Sequence, residues 1–339
     1  MNFKNQSPKV LGTRLTIIAF CICMTCAAFF TMRKTADPLA RYPYGTLSER
    51  QQIIETLNDD QINIMINQQI EPEQILPYVK APDFEITNTL LYDLASKTQP
   101  ADPTFIVRFV NLYRDRLDLN NIPQIFSWLS YSDAAGYFDS GSTLPLAATP
   151  GSLDEVLNGT STVYIWRPND LESVLPGVLL RKEAAQSFWC MDEAALEQGI
   201  DLIPISGFIP FENQKSTSDY SSFPQGPYGT REEQLGLSVR IDGFEQWNQV
   251  LSTMENTMDF TQAQNALSDS QKAVKDWLQA NAWQYGWIVR YPENRQDQTG
   301  VPWQPFLIRY VGEENARLMH EQNLTLNELH AQKEAENES

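Results

Sequence analysis

The pattern of hydrophobic and polar positions divides the chain into distinct parts. A nearly unbroken apolar run occupies residues 15–32. Apolar residues then recur at near-helical spacing from Leu47 to Ile70, which predicts amphipathic helices. Farther along, short apolar runs alternate with helical stretches. This succession predicts an α+β domain with an antiparallel sheet. Its order is strand, loop, strand, helix, helix, strand, strand, helix.

The apolar run has the length of a transmembrane anchor, which needs about 20 mostly apolar residues. A cleaved signal peptide is the alternative, because Cys26-Ala27-Ala28 resembles a poor cleavage site. We expect a short cytoplasmic tail at 1–14, the anchor at 15–32 and a linker at 33–44. The protein would then be a single-pass cell-membrane protein whose C-terminal domains are extracytoplasmic.

The sequence predicts a small, mainly helical domain at 45–130. Ser48 is a candidate N-cap for its first helix, Asp59 opens a second helix, and Asn88–Lys97 forms another. The short apolar run Phe105–Val110 has strand character.

A loop-rich connection is predicted at 131–180, with a short strand at Ser161–Trp166 and a tight turn at Asn158-Gly159. A helix from Arg181 to Gln198 should end at Gly199. It opens the α+β domain at 181–330, and a polar tail follows at 331–339.

Charge and cysteine content exclude several classes of function. The formal net charge of −18 disfavours nucleic acid as a partner, because such a field repels phosphates. Cys190 is the single cysteine beyond the apolar run, so neither an intrachain disulfide nor a cysteine zinc site is available in the body. The chain contains two histidines, His320 and His330.

From about Arg181 to Leu329 the chain resembles the VanY-like D-alanyl-D-alanine carboxypeptidases, zinc D,D-peptidases with a Hedgehog-type fold. The family pattern SGYRSYxxQ is matched by Ser206–Gln214, and GxSEHQTGLAxDI by Gly229–Ile241. The patterns yGFilRYP and TGxxxEPWHFRYVG are matched by Tyr285–Pro292 and Thr299–Gly312.

The resemblance implies a zinc ion held by His, Asp and His, an activating Glu and a substrate-binding Arg. The three ligand positions carry Glu233, Arg240 and Leu307 in this chain. The catalytic Glu and the substrate Arg are replaced by Gln304 and Ile209. Leu307 has no lone pair, Arg240 is a permanent cation, and Gln304 cannot act as a general base. We therefore expect no bound zinc, no other cofactor and no catalysis.

Glu233 and Arg240 either form an ion pair at the former metal position, with Glu232 as the other candidate partner, or face solvent as surface charges. Arg290 and Arg309 either bind anions or hold strands together through ion pairs. The candidate cleft and ligand-binding residues are Phe208, Phe211, Gln214, Gln234, Trp303, Phe306, Arg290, Arg309 and Tyr310.

Three functions follow as hypotheses. The first is a membrane-anchored, extracytoplasmic pseudo-carboxypeptidase that binds peptidoglycan stem peptide, or a cell-wall protein partner, without hydrolysis. The second is an active carboxypeptidase whose metal site is rebuilt from Glu232, Glu233, Asp242 and Glu245. The third is a scaffold that acts through its helical domain.

Overall fold

A computed structural model describes residues 16–28, 38–40, 42–157, 159–214, 229–254 and 259–337. The chain divides into two compact units, Met1–Ser127 and Trp128–Ser339. Asn158 of the predicted tight turn lies outside the described residues, as does 215–228, where the sequence is rich in Ser, Pro and Gly.

The first described segment is a helix, α1, over residues 16–28. Among the ranges that the structure describes, no helix is both long and apolar enough to span a membrane. Residue 15 and residues 29–32 of the predicted anchor lie outside these ranges.

The rest of the first unit is helical, as its hydrophobic spacing predicts. Capping boxes begin its first two helices, formed by Thr46 with Glu49 and by Asn58 with Gln61. Thr46, and not Ser48, is therefore the first N-cap. The α-helices are α2 (Leu47–Thr56), α3 (Asp59–Asn67), α4 (Pro72–Ile75), α5 (Thr89–Thr98), α6 (Pro103–Leu112) and α7 (Asn121–Phe126), with 3-10 helices at Ile86–Asn88 and Arg114–Arg116.

The predicted strand at Phe105–Val110 is wrong, because this run lies inside α6. The Asp102 side chain accepts hydrogen bonds from the backbone N–H groups of Thr104 and Phe105, and Pro103 occupies the first turn. Four residues at helical spacing are buried on one face: Ile106, Val107, Phe109 and Val110. A strong start signal thus outweighs the β-propensity of a short apolar run.

The second unit is an α+β domain. Its strands are β1 (Leu171–Leu175), β2 (Val178–Arg181), β3 (Pro204–Ser206), β4 (Ser238–Ile241), β5 (Trp287–Tyr291) and β6 (Gln304–Tyr310). Its α-helices are α8 (Tyr131–Asp139), α9 (Lys182–Leu196), α10 (Phe211–Gln214), α11 (Phe244–Leu251), α12 (Thr261–Ala266), α13 (Asp269–Asn281), α14 (Gln296–Thr299), α15 (Glu313–Gln322) and α16 (Leu326–Asn337), with 3-10 helices at Glu232–Leu235 and Ala282–Tyr285.

Two local predictions for this unit are wrong. A helix, α8, forms at the start of the predicted loop-rich connection. The predicted polar tail continues α16 as far as Asn337. The segment Ser161–Trp166 contributes one isolated bridge, Leu146 to Thr162, and no strand. Tyr164 breaks any extension there, because its φ of +44° lies in the left-handed region.

The predicted antiparallel sheet is confirmed. Its strands lie in the order β3-β4-β6-β5, and every neighbouring pair is antiparallel. Across the β4–β6 pair, Arg240 is opposite Leu307 and Ser238 is opposite Arg309. Residues two apart on a strand share a face, so these four side chains lie on one side of the sheet.

Candidate active-site region

The sheet register brings the three family ligand positions together. Arg240 on β4 is directly opposite Leu307 on β6. Gly236, with φ of +69°, ends the 3-10 helix and turns the chain into β4. That turn places Glu233 against Arg240, and their side chains form a buried ion pair. The predicted pairing is confirmed, and the solvent-facing alternative is wrong.

The ion pair satisfies its own charges within the protein. The guanidinium carbon of Arg240 lies 4.4 Å from the centre of the Phe244 ring, in cation–π geometry. Burial alone would raise the pKa of Glu233, but the neighbouring Arg240 charge and hydrogen bonds hold that pKa below its ordinary value. Glu233 therefore stays an anion bound to arginine.

These positions do not fit a zinc ion. Catalytic zinc takes three protein ligands and an open water position. Leu307 provides no donor atom, Arg240 carries a positive charge, and the Glu233 carboxylate is already bound to it. Across the described residues, no group of three or more His, Cys, Asp or Glu side chains could hold a metal ion. The expected absence of a cofactor stays a prediction.

The alternative site of oxygen ligands is not formed either. The Glu232 carboxylate is bound by two arginines, and Glu233 is bound by Arg240. Asp242 accepts a hydrogen bond from Gln271 at 3.1 Å. With Glu232 and Glu233 both committed to guanidinium groups, the set that includes Glu245 cannot converge on a metal.

Arg290 and Arg309 form structural ion pairs. Arg290 donates from Nε and Nη2 to Glu232 Oε1, at 2.9 and 2.8 Å, and Arg309 donates from Nη1 to Oε2 at 2.8 Å. Both arginines are fully buried. Arg309 also donates to the backbone carbonyls of Leu153 and Glu155. Within the described part of the chain both guanidinium groups bind protein acceptors, so the ion-pair alternative is confirmed and the anion-binding alternative is wrong.

The side chains on β6 and just before it belong to the core and do not line a cleft. Trp303 packs against Trp247 with ring centres 5.0 Å apart, and Phe306 is completely buried. Tyr310 donates its hydroxyl hydrogen to Glu183 at 2.9 Å. Gln304 is also buried, and its amide nitrogen donates to Asn248 Oδ1 at 2.9 Å.

The two candidate glutamines connect loops through buried hydrogen bonds. Gln214 donates to Gln234 Oε1 at 2.7 Å and accepts from the backbone N–H of Gly229 at 3.0 Å. Gln234 in turn donates to the carbonyls of Tyr164 and Trp166. Both side chains are buried.

The accessible part of the region is the segment between β3 and α10. Phe208, Ile209 and Phe211 are half-buried, and the backbone N–H of Ile209 donates to the Glu233 carbonyl at 3.3 Å. The guanidinium carbon of Arg167 lies 5.9 Å from the centre of the Phe208 ring, and Arg167 pairs with Glu212. Sequence reasoning missed Arg167, which lies outside every family motif.

Residues 177–313 match the family described as VanY, D-alanyl-D-alanine carboxypeptidase. The resemblance of this part of the chain to the D-alanyl-D-alanine carboxypeptidases is therefore confirmed. More particularly, the segment is similar to the VanY family, as its four ordered motifs predict.

Two curated relatives are similar to this chain in sequence. The putative carboxypeptidase YodJ of Bacillus subtilis strain 168 is 31% identical over 158 residues, which cover 44% of this chain and 52% of YodJ. A D-alanyl-D-alanine carboxypeptidase of Enterococcus faecium is 30% identical over 158 residues, covering 44% of each chain. The chain thus spans about half the length of these relatives.

Among solved structures, the LdcB LD-carboxypeptidase is 24% identical with a TM-score of 0.42, and the match covers 56% of this chain and 90% of LdcB. VanYB in complex with D-alanine-D-alanine is 25% identical with a TM-score of 0.40, covering 51% and 94%.

The relatives overturn one expectation. Proteins about 30% identical to this chain are named D-alanyl-D-alanine carboxypeptidases, which points to an enzyme. The expectation that the chain is not an enzyme is therefore contradicted, although the replaced residues had suggested it.

Proposed function

We propose that the VanY domain recognises the D-alanine-terminated stem peptides of bacterial peptidoglycan along Phe208–Phe211. One observation carries the proposal. In a domain of this family, most of the candidate cleft residues are buried, while Phe208 and Phe211 remain half-buried. The Ile209 N–H between them donates to the Glu233 carbonyl at 3.3 Å, which ties this segment to the residue of the ion pair. Binding sites combine such aromatic surface with a few polar groups that fix orientation.

Arg167 is the group proposed to bind the peptide carboxylate. Ile209, at the position of the family arginine, carries no charge, whereas Arg167 lies over the neighbouring Phe208 ring. The side chains of Arg167 and Glu212 are 54% and 61% exposed. An exposed pair of this kind contributes little stability, so exchanging Glu212 for a peptide carboxylate costs little.

Calorimetric titration with a pentapeptide ending in D-Ala-D-Ala tests recognition. We expect the free-acid peptide to bind about tenfold or more tightly than the same peptide with a C-terminal amide, because a charge-assisted hydrogen bond is lost. Arg167→Gln should reduce the affinity for the free-acid peptide to the affinity for the amide. Arg317→Gln, the same charge change on an exposed position of α15, is the matched control. Equal binding of acid and amide would contradict the proposal.

Hydrolysis of the same peptides is the second candidate, favoured by the carboxypeptidases at about 30% identity. Glu233, Arg240 and Leu307 provide no zinc site, so turnover would rest on other groups. Release of D-alanine tests this candidate. It is measured with and without a chelator, and the metal content of the purified protein is determined in parallel. Chelator-sensitive release would identify a metal-dependent enzyme with a different ligand set. If no D-alanine is released at saturating peptide, recognition without hydrolysis is the candidate that remains.

The proposed location is the outer face of a membrane, with the N-terminal apolar run as a single-pass anchor. The run and the basic residues before it support this orientation. Cys190 on α9 is exposed and provides the test. A membrane-impermeant maleimide added to intact cells should label the full chain, and Cys190→Ser should abolish the labelling. Labelling that requires cell lysis would contradict the outside location.

A further inference from the structure

A cavity of about 350 Å³ lies in the second unit, apart from the Glu233–Arg240 pair. Three aromatic side chains line it together with a set of small polar residues. The lining includes Tyr137, Tyr164 and Phe211, with Ser140, Thr143 and Thr162 among the polar residues. All but Phe211 precede the part of the chain that matches the family, so the cavity is a feature of this chain's own additional segment.

The cavity walls have a neutral, amphipathic chemistry. The Tyr164 ring centre lies 5.5 Å from that of Tyr137 and 5.3 Å from that of Phe211, both in edge-on geometry. Hydroxyl groups lie around these rings. Those of Tyr137, Ser140 and Thr162 donate to backbone carbonyls, and their oxygens can still accept hydrogen bonds. Among the described lining residues none carries a formal charge. A pyranose ring offers the complement, with apolar C–H faces for the rings and hydroxyls at its edge.

The backbone at Tyr164 is held in a strained conformation that fixes this ring. Its φ is +44°, which is unusual for a bulky residue. The Tyr164 N–H donates to Thr162 Oγ1 at 2.9 Å, and its carbonyl accepts from the buried Gln234 amide. Thr162 in turn donates to the Gly229 carbonyl at 3.0 Å. Strain that the surroundings enforce in this way is typical of ligand clamps.

We propose that this cavity binds a neutral saccharide residue of the peptidoglycan glycan strand. The identity of the strand rests on the proposed function, whereas the saccharide chemistry rests on the cavity itself. Phe211 connects the two sites, because it lines the cavity and also ends the Phe208–Phe211 segment. The domain would then contact both the peptide and the sugar of its ligand.

Titration of the full chain with N-acetylglucosamine tetrasaccharide, a neutral oligosaccharide free of peptide, tests the site. We expect saturable binding by the wild type. Tyr164→Ala, which removes a ring, should weaken it about tenfold. Tyr164→Phe keeps the ring and should bind within about threefold of wild type. Thr143→Trp, at an exposed position on the wall, should block the cavity without altering the unfolding midpoint.

The sugar-free pentapeptide separates this proposal from the proposed function. Unchanged peptide binding in Tyr164→Ala and Thr143→Trp, with saccharide binding lost, supports a distinct sugar site. A wild type that binds peptide but no saccharide overturns the sugar site alone, as does saccharide binding that both variants retain. A wild type that binds saccharide but no peptide overturns the proposed function and leaves the sugar site standing.

Discussion

At the scale of single residues, the Glu233–Arg240 pair shows how a buried site balances its charges within the protein. The Arg240 cation is neutralised by the Glu233 carboxylate seven residues earlier in the chain. Arg240 is 6% and Glu233 5% exposed, so neither charge can rely on water. Each charge therefore depends on its partner, and the pair links the 3-10 helix to β4 across the Gly236 turn.

Removing one partner of this pair should destabilise the second unit strongly. Glu233→Gln removes the carboxylate that offsets the buried Arg240 charge, and we expect a loss of about 3–5 kcal/mol in the free energy of unfolding. The double variant Glu233→Leu with Arg240→Met replaces both charges by apolar groups and should recover most of that loss. Urea denaturation measures both. Equal losses in the single and double variants would contradict the argument.

The same pair predicts how stability depends on pH. The pKa of Glu233 is lowered in the folded protein, so its contribution is fully present above the unfolded pKa, about 4.3, and is lost as pH falls through the folded value. We expect the wild type to lose more stability between pH 5 and pH 3 than the Leu–Met double variant. Denaturation midpoints over this range would show the difference, and parallel curves would contradict it.

At the scale of elements, the junction between β4 and α11 depends on close packing at Gly243. Its φ is +101°, and a Cβ atom there would lie 2.8 Å from a carbon of the buried Phe306 ring. Gly199, after α9, has φ of +74° but open space around the same position. The two glycines therefore share a backbone requirement and differ in their surroundings.

Alanine at these two glycines should separate backbone strain from steric overlap. Gly199→Ala should cost about 1–2 kcal/mol, because alanine must adopt the left-handed conformation. Gly243→Ala should cost about 1–3 kcal/mol more, since Phe306 must also move within a packed core. Thermal and urea unfolding provide the comparison. A cost for Gly243→Ala no larger than that for Gly199→Ala would show that the ring moves freely.

Elements were predictable where a repeated pattern specified them. The antiparallel sheet was predictable from the succession of strands and helices along the domain, whereas the strand order β3-β4-β6-β5 was not predicted. The strand prediction for Phe105–Val110 was wrong, because a short apolar run fits either a strand or a buried helix face. The signal that decides between them is the helix start at Asp102-Pro103. Predictions were weakest for segments without periodicity, such as the one in which Tyr164 adopts a positive φ.

The residues of the candidate site were likewise predictable only in part. Glu233, Arg240 and Leu307 were located by spacing within motifs, and the sheet register brings them together. Trp303 and Phe306 were misjudged, because sequence shows that a residue is aromatic but not whether its ring faces the core. Arg167 approaches Phe208 through tertiary contacts between segments far apart in the chain, which no local pattern encodes.

At the scale of the whole molecule, the net charge of −18 implies repulsion among surface groups. Raising the salt concentration from about 0.01 to about 0.5 M should screen this repulsion and raise the melting temperature. The buried pairs of Glu232 and Glu233 are shielded from ions and should contribute little to the change. Calorimetry at several NaCl concentrations measures it, with sucrose of equal osmolality as the control. A fall in melting temperature would mean that attractive surface pairs dominate.

The cluster around Glu232 also has a kinetic consequence. Its carboxylate bonds to Arg290 and Arg309, 58 and 77 residues farther along the chain, and Arg309 reaches the Leu153 carbonyl 156 residues away. Such contacts form only after long loops have closed. The chain must therefore lose the conformational entropy of these loops before the hydrogen bonds can stabilise the fold. We expect the second unit to fold slowly, with its helices forming early and this cluster closing last. Until this cluster forms, the two arginines and the carboxylate stay hydrated, so water remains in contact with the partly formed sheet.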